Sequence, residues 1–401
     1  MKGYIKFVDG RTKDWGFIVP EDGGDDVHFR MSDFITERPS VDDAGSPVQF
    51  DEVTDQRGRH ARNIKLLDED GRPRALVGPS GRARLAPPGE HAFLLNWAYL
   101  GYLPVTLTDL SQMALQERWE FRDTEPDPEK PLPILHSYLI HTFGRLALEK
   151  KVLVNQEVGL AAFDTGLVDP RYERIHALFE PNSIGREQQW KLKGFCVAGE
   201  GLLGQSLVRY FNPLPSPPHY FDEPSDLLYD VRVGKPELDW SHVVIERIGR
   251  YPREFLADHV PPGFELQDTD ELARDDRLKH WRDLGQAIED DARTYRTIMN
   301  RVRDAVNLSL KRVSWNFKTA VPQYYPLVRR LQLLLPLCLV CDDKVDLALA
   351  VEKTVSGSYL GHTVLPLDWA YKNARLICRP DSDWLEPESI AAGLDEEDDV
   401  Q

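Results

Sequence analysis

Lys13-Asp14-Trp15-Gly16-Phe17-Ile18 is the segment from which the N-terminal fold of this chain can be predicted. In a β-strand, alternate side chains point to the same side, so Trp15 and Phe17 share one face while Gly16 leaves room between them. Ile18 then points inward. The segment therefore predicts a strand that carries two rings on its outer face.

Four more short segments with alternating polarity surround this strand. The five strand-like segments are Tyr4–Val8, Trp15–Val19, Val27–Met31, Val48–Val53 and His60–Leu66. Five strands is the number found in an OB barrel. We therefore predict a multidomain chain whose residues 1–68 form a five-stranded OB-type β-barrel.

Further rings and cations are predicted beside Trp15 and Phe17. His28 and Arg30 share one face of the third strand, and Phe7 offers a ring on the first. Such a surface holds single strands because every base has a π-face, at about 1–3 kcal/mol per stacked base, while cations neutralise phosphates. The predicted nucleic-acid-binding residues are Lys6, Phe7, Lys13, Trp15, Phe17, His28 and Arg30.

The order and spacing of these segments resemble the cold-shock domain family over residues 1–68. Gly3–Phe7 is similar to the family's first strand, Lys13–Ile18 to its first RNP motif and Asp26–Arg30 to its second. Arg57–Ile64 resembles its closing strand. The resemblance implies an OB barrel that binds single-stranded RNA or DNA, and we expect RNA.

Three positions depart from the family pattern. His28 and Arg30 stand where the family usually has Phe and His, and Val8 replaces a common aromatic residue. A surface with fewer rings is expected to bind more weakly. The alternative is a barrel kept as a spacer or protein-contact module. Exposed rings on a small acidic barrel are costly without a ligand, which favours binding.

Length and charge limit what the whole chain can be. With 401 residues it is too long for one compact core, and its formal net charge of −17 excludes a surface coated in phosphate-binding cations. We see no apolar run of signal-peptide or membrane-spanning kind, and four cysteines suit a reducing compartment. We therefore expect a cytoplasmic protein that does not contact a membrane.

Composition predicts three segments after the barrel. Residues 69–90 form a flexible linker rich in Gly, Pro and Arg, residues 91–385 an α+β domain, and residues 386–401 an acidic disordered tail. Two interpretations of the linker arginines stay open, since they either keep the linker soluble or follow a nucleic-acid backbone. These arginines are Arg72, Arg74, Arg82 and Arg84.

Helices and strands are mixed in the larger domain, and no internal repeat is evident. Apolar residues at 3.6-residue spacing predict one helix from about Trp281 to Val313, whose opposite arc is basic. Strands are predicted at Val243–Ile248, Leu347–Val351 and Leu376–Cys378.

Three local strings imitate known sites, and we predict no metal and no cofactor. Gly199–Gly204 matches GxGxxG, but Asn212–Pro215 stops the required helix early, so a glycine-rich turn is expected. Phe163–Gly166 has the form of an aspartic-protease triplet and occurs once, whereas that chemistry needs two carboxylates. Cys338 and Cys341 have zinc-like spacing without a second pair and are expected to be buried thiols.

The larger domain resembles a bacterial family of unknown function that commonly follows cold-shock and other RNA-binding modules. The resemblance covers most of residues 91–385 and rests on Phe163–Leu167, Trp315–Pro326 and Gly361–Asp368. It implies an RNA-associated context without an established chemistry.

Polar residues in two of these strings and in the following Asn373–Arg375 suggest a site for a phosphate-bearing ligand. Lys318 and Arg375 are predicted to bind phosphate, with His362 and Asp368 as candidate catalytic groups. An enzyme that processes RNA or nucleotides is thus the alternative to a binding protein, and a sensor tethered to RNA is a third possibility. A cleft that gathers these four residues would favour the enzyme, and their dispersal a scaffold.

Overall fold

The computed structural model describes residues 1–9, 15–21, 24, 26–34, 39, 45–55, 58–67, 85, 87–90, 92–122, 127, 131–182, 188–269 and 272–391. The chain divides into two compact units, Met1–Ala86 and Pro87–Gln401. Most of the predicted linker, with its four arginines, and most of the predicted tail lie outside the described residues. Among the residues described, no helix is long and apolar enough to cross a membrane.

The first unit is a closed five-stranded barrel with the strand order β1-β2-β3-β5-β4. Its strands are β1 (Lys2–Val8), β2 (Trp15–Pro20), β3 (Val27–Arg30), β4 (Pro47–Asp55) and β5 (Gly58–Leu66). Neighbours pair antiparallel except β3 and β5, which close the barrel through a parallel contact between His28 and His60. The predicted multidomain fold with an N-terminal OB-type barrel is confirmed.

Inward-facing side chains of the five strands fill the barrel. Ile18, Val27 and Phe29 are fully buried, whereas the residues that alternate with them in β2 and β3 face outward. Gly16 lies against this core: a Cβ atom there would stand 2.5 Å from the Phe29 ring and 2.2 Å from the Phe7 carbonyl oxygen. The room that Gly16 leaves is therefore needed inside the barrel, against Phe29, and not between the two outer rings.

A β-bulge interrupts the alternation of β1. Ile5 lies opposite Ile18 and Phe7 opposite Phe17, so Lys6 is the extra residue of the strand. Lys6 and Phe7 are consequently both exposed, and Val8 turns into the core with 2% of its surface accessible. Strict alternation would have buried Phe7. The bulge therefore adds a ring and a cation to the outer face.

The second unit contains two five-stranded sheets and eight α-helices among the described residues. The elements of its first half are α1 (Leu94–Trp97), β6 (Ala98–Tyr99), α2 (Leu103–Met113), α3 (Pro133–Leu148), β7 (Leu153–Asn155), β8 (Leu160–Val168), β9 (Arg174–Pro181), β10 (Trp190–Val197) and α4 (Gly201–Tyr210). Those of its second half are β11 (Glu237–Leu238), α5 (Arg253–His259), α6 (Arg274–Asp290), α7 (Ala292–Trp315), β12 (Val321–Tyr325), β13 (Arg330–Leu337), β14 (Leu347–Lys353), β15 (Tyr359–Leu365) and α8 (Leu367–Ile377).

The two halves of this unit have the same topology. Each has a two-residue strand, then helices, then a four-stranded antiparallel meander, then one helix. In both sheets the two-residue strand pairs in parallel with the last strand of the meander, as β6 with β10 and β11 with β15. A repeat therefore exists in the order of the elements, although none is evident in the sequence.

The first hairpin of each meander has the same geometry. Asn155 pairs with Leu160 in one half and Tyr325 with Arg330 in the other, so four residues form the turn in both. The last turn residue has a left-handed backbone in each case, with φ of 65° at Gly159 and 56° at Arg329. Only the first turn uses a glycine there, so the repeat leaves little trace in the residue types.

Three of the predicted elements of the larger domain differ in the structure. The single helix predicted over 281–313 is two helices, α6 and α7, which meet at Asp291; its carboxylate accepts from the Arg293 backbone N–H and caps α7. The segment predicted as a strand at 243–248 is helical, and 376–378 is the end of α8. The strand at 347–351 is confirmed within β14.

The glycine-rich string and the cysteine pair, which resemble known sites in sequence, form ordinary parts of the fold. Gly199 and Gly201 have left-handed backbones in the turn between β10 and α4, and β10 pairs antiparallel with β9, unlike a dinucleotide-binding unit. Cys338 is buried and accepts from Arg312 at 3.1 Å, whereas Cys341 is exposed, contrary to expectation. Within the described ranges, no three His, Cys, Asp or Glu side chains form a group that could hold a metal ion.

Asp164, in the protease-like string, is a buried structural carboxylate. It accepts from the Gly166 backbone N–H at 2.8 Å and from Arg174 at 3.2 Å. Burial raises the pKa of this carboxyl group, while these two donors and His176 act in the opposite direction. Its contacts therefore stabilise the part of β8 between Asp164 and Val168, where the register with β9 shifts.

We expect Gly16→Ala to destabilise the barrel. The added methyl group would overlap the Phe7 carbonyl and the Phe29 ring, and overpacking of this kind costs about 1–3 kcal/mol. Amide hydrogen exchange in β1 to β3 of the full chain would measure the loss. Gly89→Ala is the control, because no atom lies within 4 Å of its added Cβ. Equal protection in both variants would contradict the role assigned to Gly16.

Candidate nucleic-acid interface

Four aromatic side chains form a continuous group on the outer face of the barrel. Trp15 is at its centre, with ring centroids 5.7 Å from Phe7, 5.7 Å from Phe17 and 5.9 Å from His28. Phe17 and His28 are 5.6 Å apart. We call Phe7, Trp15, Phe17 and His28 the ring cluster. The structure thus brings together the rings that the sequence singled out.

Strand register explains how the ring cluster forms. Trp15 lies opposite Arg30 and Phe17 opposite His28 in the β2–β3 pair, while the bulge in β1 turns Phe7 outward beside Trp15. Phe7 is 43% exposed, and the other three rings are partly buried against each other. The ring planes of Trp15 and His28 are inclined at 25° to each other, so the two rings are nearly parallel.

Cations flank the ring cluster. Lys6 and Arg30 are both exposed, and the Lys6 ammonium lies 2.5 Å from the Asp26 carboxylate. An exposed ion pair of this kind contributes about 0–1 kcal/mol, so a phosphate can replace Asp26 at little cost. Lys13, the third predicted cation, lies outside the described residues.

His28 contributes a neutral ring at pH 7. Burial lowers the pKa of His28 below the usual 6.5, and the neighbouring charges of Arg30 and His60 lower it further. The Asp33 carboxylate acts in the opposite direction and raises this pKa. The uncharged imidazole is planar and apolar on its faces, which suits stacking. Sequence reasoning missed His60, which reaches His28 only because β5 closes the barrel against β3.

Arg375, predicted to bind phosphate, has a carboxylate partner in the protein interior. Its guanidinium donates to both oxygens of Glu117 at 2.7 and 3.0 Å, and the two side chains are 9% and 8% exposed. Trp119 and Tyr138 lie 5.2 and 4.6 Å away with their rings facing the guanidinium. Arg375 therefore stabilises the packing of α8 against α3.

Lys318 and Asp368 line one large cavity of the second unit, with a volume of about 1220 Å³. The Lys318 ammonium lies 2.5 Å from Asp381, and both side chains are exposed. Asp368 is buried in the first turn of α8, where the helix dipole stabilises a negative charge.

His362, the candidate acid or base, lies on the second sheet in a surface ion-pair group. Its Nε2 atom is 2.9 Å from Glu352, which also accepts from Arg330 at 2.9 Å. Neither His362 nor Arg375 is among the residues that line the cavity of Lys318 and Asp368. The structure therefore places Lys318 and Asp368 at one cavity and leaves His362 and Arg375 outside its lining.

The lowered pKa of His28 makes the stability of the barrel depend on pH. Between the usual value of 6.5 and the lower folded value, the unfolded chain binds a proton that the folded barrel does not, so acid favours unfolding. We expect wild-type protein to lose stability relative to His28→Phe as the pH falls from 7 towards 5. Hydrogen exchange in β2 and β3 at both pH values would measure the difference. A constant difference would contradict this prediction.

Comparison with known proteins accounts for both units. Residues 1–67 match the family model described as 'Cold-shock' DNA-binding domain, and residues 110–384 match Domain of unknown function (DUF3825). The chain is 34% identical to a cold shock-like protein of Aquifex aeolicus (strain VF5) over 68 residues, 17% of this chain and 96% of that protein. It is 38% identical to Cold shock domain-containing protein 4 of Arabidopsis thaliana over 80 residues, 20% of this chain and 38% of that protein.

These matches confirm both resemblances predicted from the sequence, and the first supports nucleic-acid binding by the barrel. The second match spans more than half of the chain but describes no activity. The chain therefore belongs to the DUF3825 family and carries a cold-shock domain at its N terminus.

Proposed function

We propose that the barrel binds single-stranded RNA by stacking bases on the ring cluster. The observation that carries this proposal is the contact of four rings, from three neighbouring strands, on the outer face of a cold-shock domain. Bases of a duplex already stack on one another, so a surface of this kind selects unpaired nucleotides.

The energetics of the ring cluster support a ligand. A bulge and a glycine in contact with core atoms are both needed to turn Phe7 outward beside Trp15, where 43% of its surface meets water. A fold that only filled its core would bury that ring. A base that stacks on Phe7 removes this apolar surface from water. The burial favours binding by about 25 cal/mol per Å².

Two exposed cations beside the ring cluster support phosphate contacts at this position. Lys6 precedes Phe7 on the bulge, and Arg30 lies opposite Trp15 across the β2–β3 pair. We assign both to phosphate contacts, together with Lys13 on sequence grounds. RNA is the favoured ligand because protein recognition of RNA concentrates on unpaired loops, bulges and ends, which offer free base faces.

We expect Trp15→Ala and Phe17→Ala each to weaken binding of oligouridine by about 1–3 kcal/mol, because each removes one stacking ring. Titration by fluorescence anisotropy would measure the affinity. Tyr4→Ala is the matched control, since Tyr4 is 44% exposed on the same barrel and makes none of the ring contacts of the cluster. Losses no larger than that of Tyr4→Ala, in variants shown to be folded, would refute stacking.

We expect oligouridine to bind more tightly than oligodeoxyuridine of equal length, and the corresponding duplex to bind least. Only the 2′-hydroxyl differs between the two single strands, so the comparison isolates the sugar. Competition titrations against one labelled probe would rank the three. Equal affinity for both single strands would leave the stacking proposal intact and remove the preference for RNA.

A further inference from the structure

Helix α7 carries a row of exposed cations that the barrel does not explain. None of its four side chains forms a salt bridge with a carboxylate of the described residues, although the whole chain has a net charge of −17. Arg293 is close enough to Asp291 to lower the pKa of that carboxyl group. Arg303 is instead held over the Trp240 ring at 5.2 Å. We call this row the basic stripe: Arg293, Arg296, Arg303 and Lys311.

Helical periodicity places the basic stripe on one side of α7. With about 3.6 residues per turn, Arg293 and Lys311 lie five turns apart along the same face. The opposite face packs into the core through Ile298, Val302 and Val306. The outer face of α7 is therefore free of core contacts and mostly positive, with Asp304 as an exposed acid among the cations.

An exposed tryptophan ends the basic stripe. Trp315 is the last residue of α7 and is 92% exposed, more than any other described aromatic side chain. Lys311 precedes it by one helical turn, so the ammonium and the indole lie on the same face. A Trp side chain can bury roughly 150–250 Å² on contact, which is a large apolar area to leave in water.

The large cavity of the second unit opens at this end of α7. It has a volume of about 1220 Å³ and is lined by residues from α7, the segments around Asp343 and Asp381, and the start of α8. Its lining includes Trp315 and six cations, which are Arg122, Arg250, Lys311, Arg312, Lys318 and Lys344.

Five carboxylates also line the cavity, and at least four of them have partners. The five are Asp343, Asp346, Asp368, Asp381 and Asp383. Asp343 accepts from the Cys341 thiol, and Asp368 lies 3.9 Å from the Lys372 ammonium. Asp346 accepts from the Leu339 and Val340 backbone N–H groups at 2.7 and 3.0 Å. Asp381 pairs with Lys318, but both side chains are exposed, so a phosphate can replace this carboxylate. Among the described residues, the exposed cations Lys311 and Lys344 form no salt bridge with these carboxylates and can contact an anionic ligand at the C-terminal end of α7, where the helix dipole alone would repel one.

We propose that the basic stripe, Trp315 and this cavity form a second binding surface for single-stranded nucleic acid. The stripe neutralises successive phosphates, Trp315 stacks one base, and the cavity receives the adjoining nucleotide. The assignment is independent of the ring cluster, because every residue involved belongs to the second unit.

Dimensions and chemistry favour a single strand over other partners. Arg293 and Lys311 are about 27 Å apart along the helix, at 1.5 Å per residue, which spans several phosphates. A duplex would also meet the cations but has no free base face for Trp315. An acidic protein segment is the competing partner, and it requires neither a base-stacking ring nor a cavity of nucleotide size.

The test combines a charge variant with a matched control in the full-length protein. The stripe variant replaces the four cations of the basic stripe by Ser, and the control replaces four other exposed cations of the same unit. The control set is Arg209, Lys235, Lys279 and Lys353. Both variants carry the same net charge, so a difference between them reports position and not overall electrostatics.

The probe is oligouridine of about 30 nucleotides, longer than the roughly 16 that one OB fold covers at most. Relative to the control, we expect the stripe variant to bind more weakly and to lose salt dependence, by about 0.7 in the slope of log K against log salt for each lost contact. Trp315→Ala should weaken binding roughly 5- to 150-fold, whereas Tyr102→Ala, which removes a 67% exposed ring elsewhere, should not.

The same titrations in a Trp15→Ala/Phe17→Ala background separate this proposal from the proposed function. Loss of binding on stripe substitution in both backgrounds supports the second surface, even if the ring cluster contributes nothing. A stripe variant indistinguishable from its control in both backgrounds overturns it, and an acidic protein then becomes the partner to test. Photocrosslinking of 4-thiouridine RNA to the peptide containing Trp315 is the independent readout, and absence of that crosslink also counts against the proposal.

Discussion

One extra residue in β1 determines which side chains the barrel offers to a ligand. Because side chains alternate along a strand, a regular β1 would place Phe7 in the core and Val8 outside. The bulge at Lys6 reverses both, and Gly16 permits it because the Phe7 carbonyl passes where a Cβ atom would stand. The packing of the core and the formation of the outer ring cluster thus depend on the same steric arrangement.

Much of the barrel could be predicted from the sequence because its strands have strong alternation. All five strands were expected near their observed bounds, and so was the group formed by Trp15, Phe17 and His28. The bulge could not be inferred from β1 alone, since it is a property of the register between β1 and β2. His60 escaped notice for a similar reason, because it meets β3 only through barrel closure.

The second unit was harder to predict because its organisation lies in pairings between distant residues. Arg375 was taken for a phosphate ligand, yet its carboxylate partner stands 258 positions earlier in the chain. The break between α6 and α7 depends on one capping carboxylate at Asp291 within a continuous helical pattern. The repeated topology left no repeat in sequence, since burial on a sheet requires apolar residues but not the same ones.

A strongly acidic chain can still bind nucleic acid if it obtains affinity from stacking and a few placed cations. Long-range repulsion at a net charge of −17 opposes any polyanion, but it is screened beyond about 8 Å at physiological ionic strength. Stacking is short-ranged and unaffected by that charge. Both proposed surfaces combine rings that can contact a base with cations next to those rings. Lys6 is beside Phe7, and Lys311 is one helical turn from Trp315. The acidity of the remaining surface opposes duplexes, whose binding depends on many phosphate contacts, and this is a further reason why we propose single strands as the ligand.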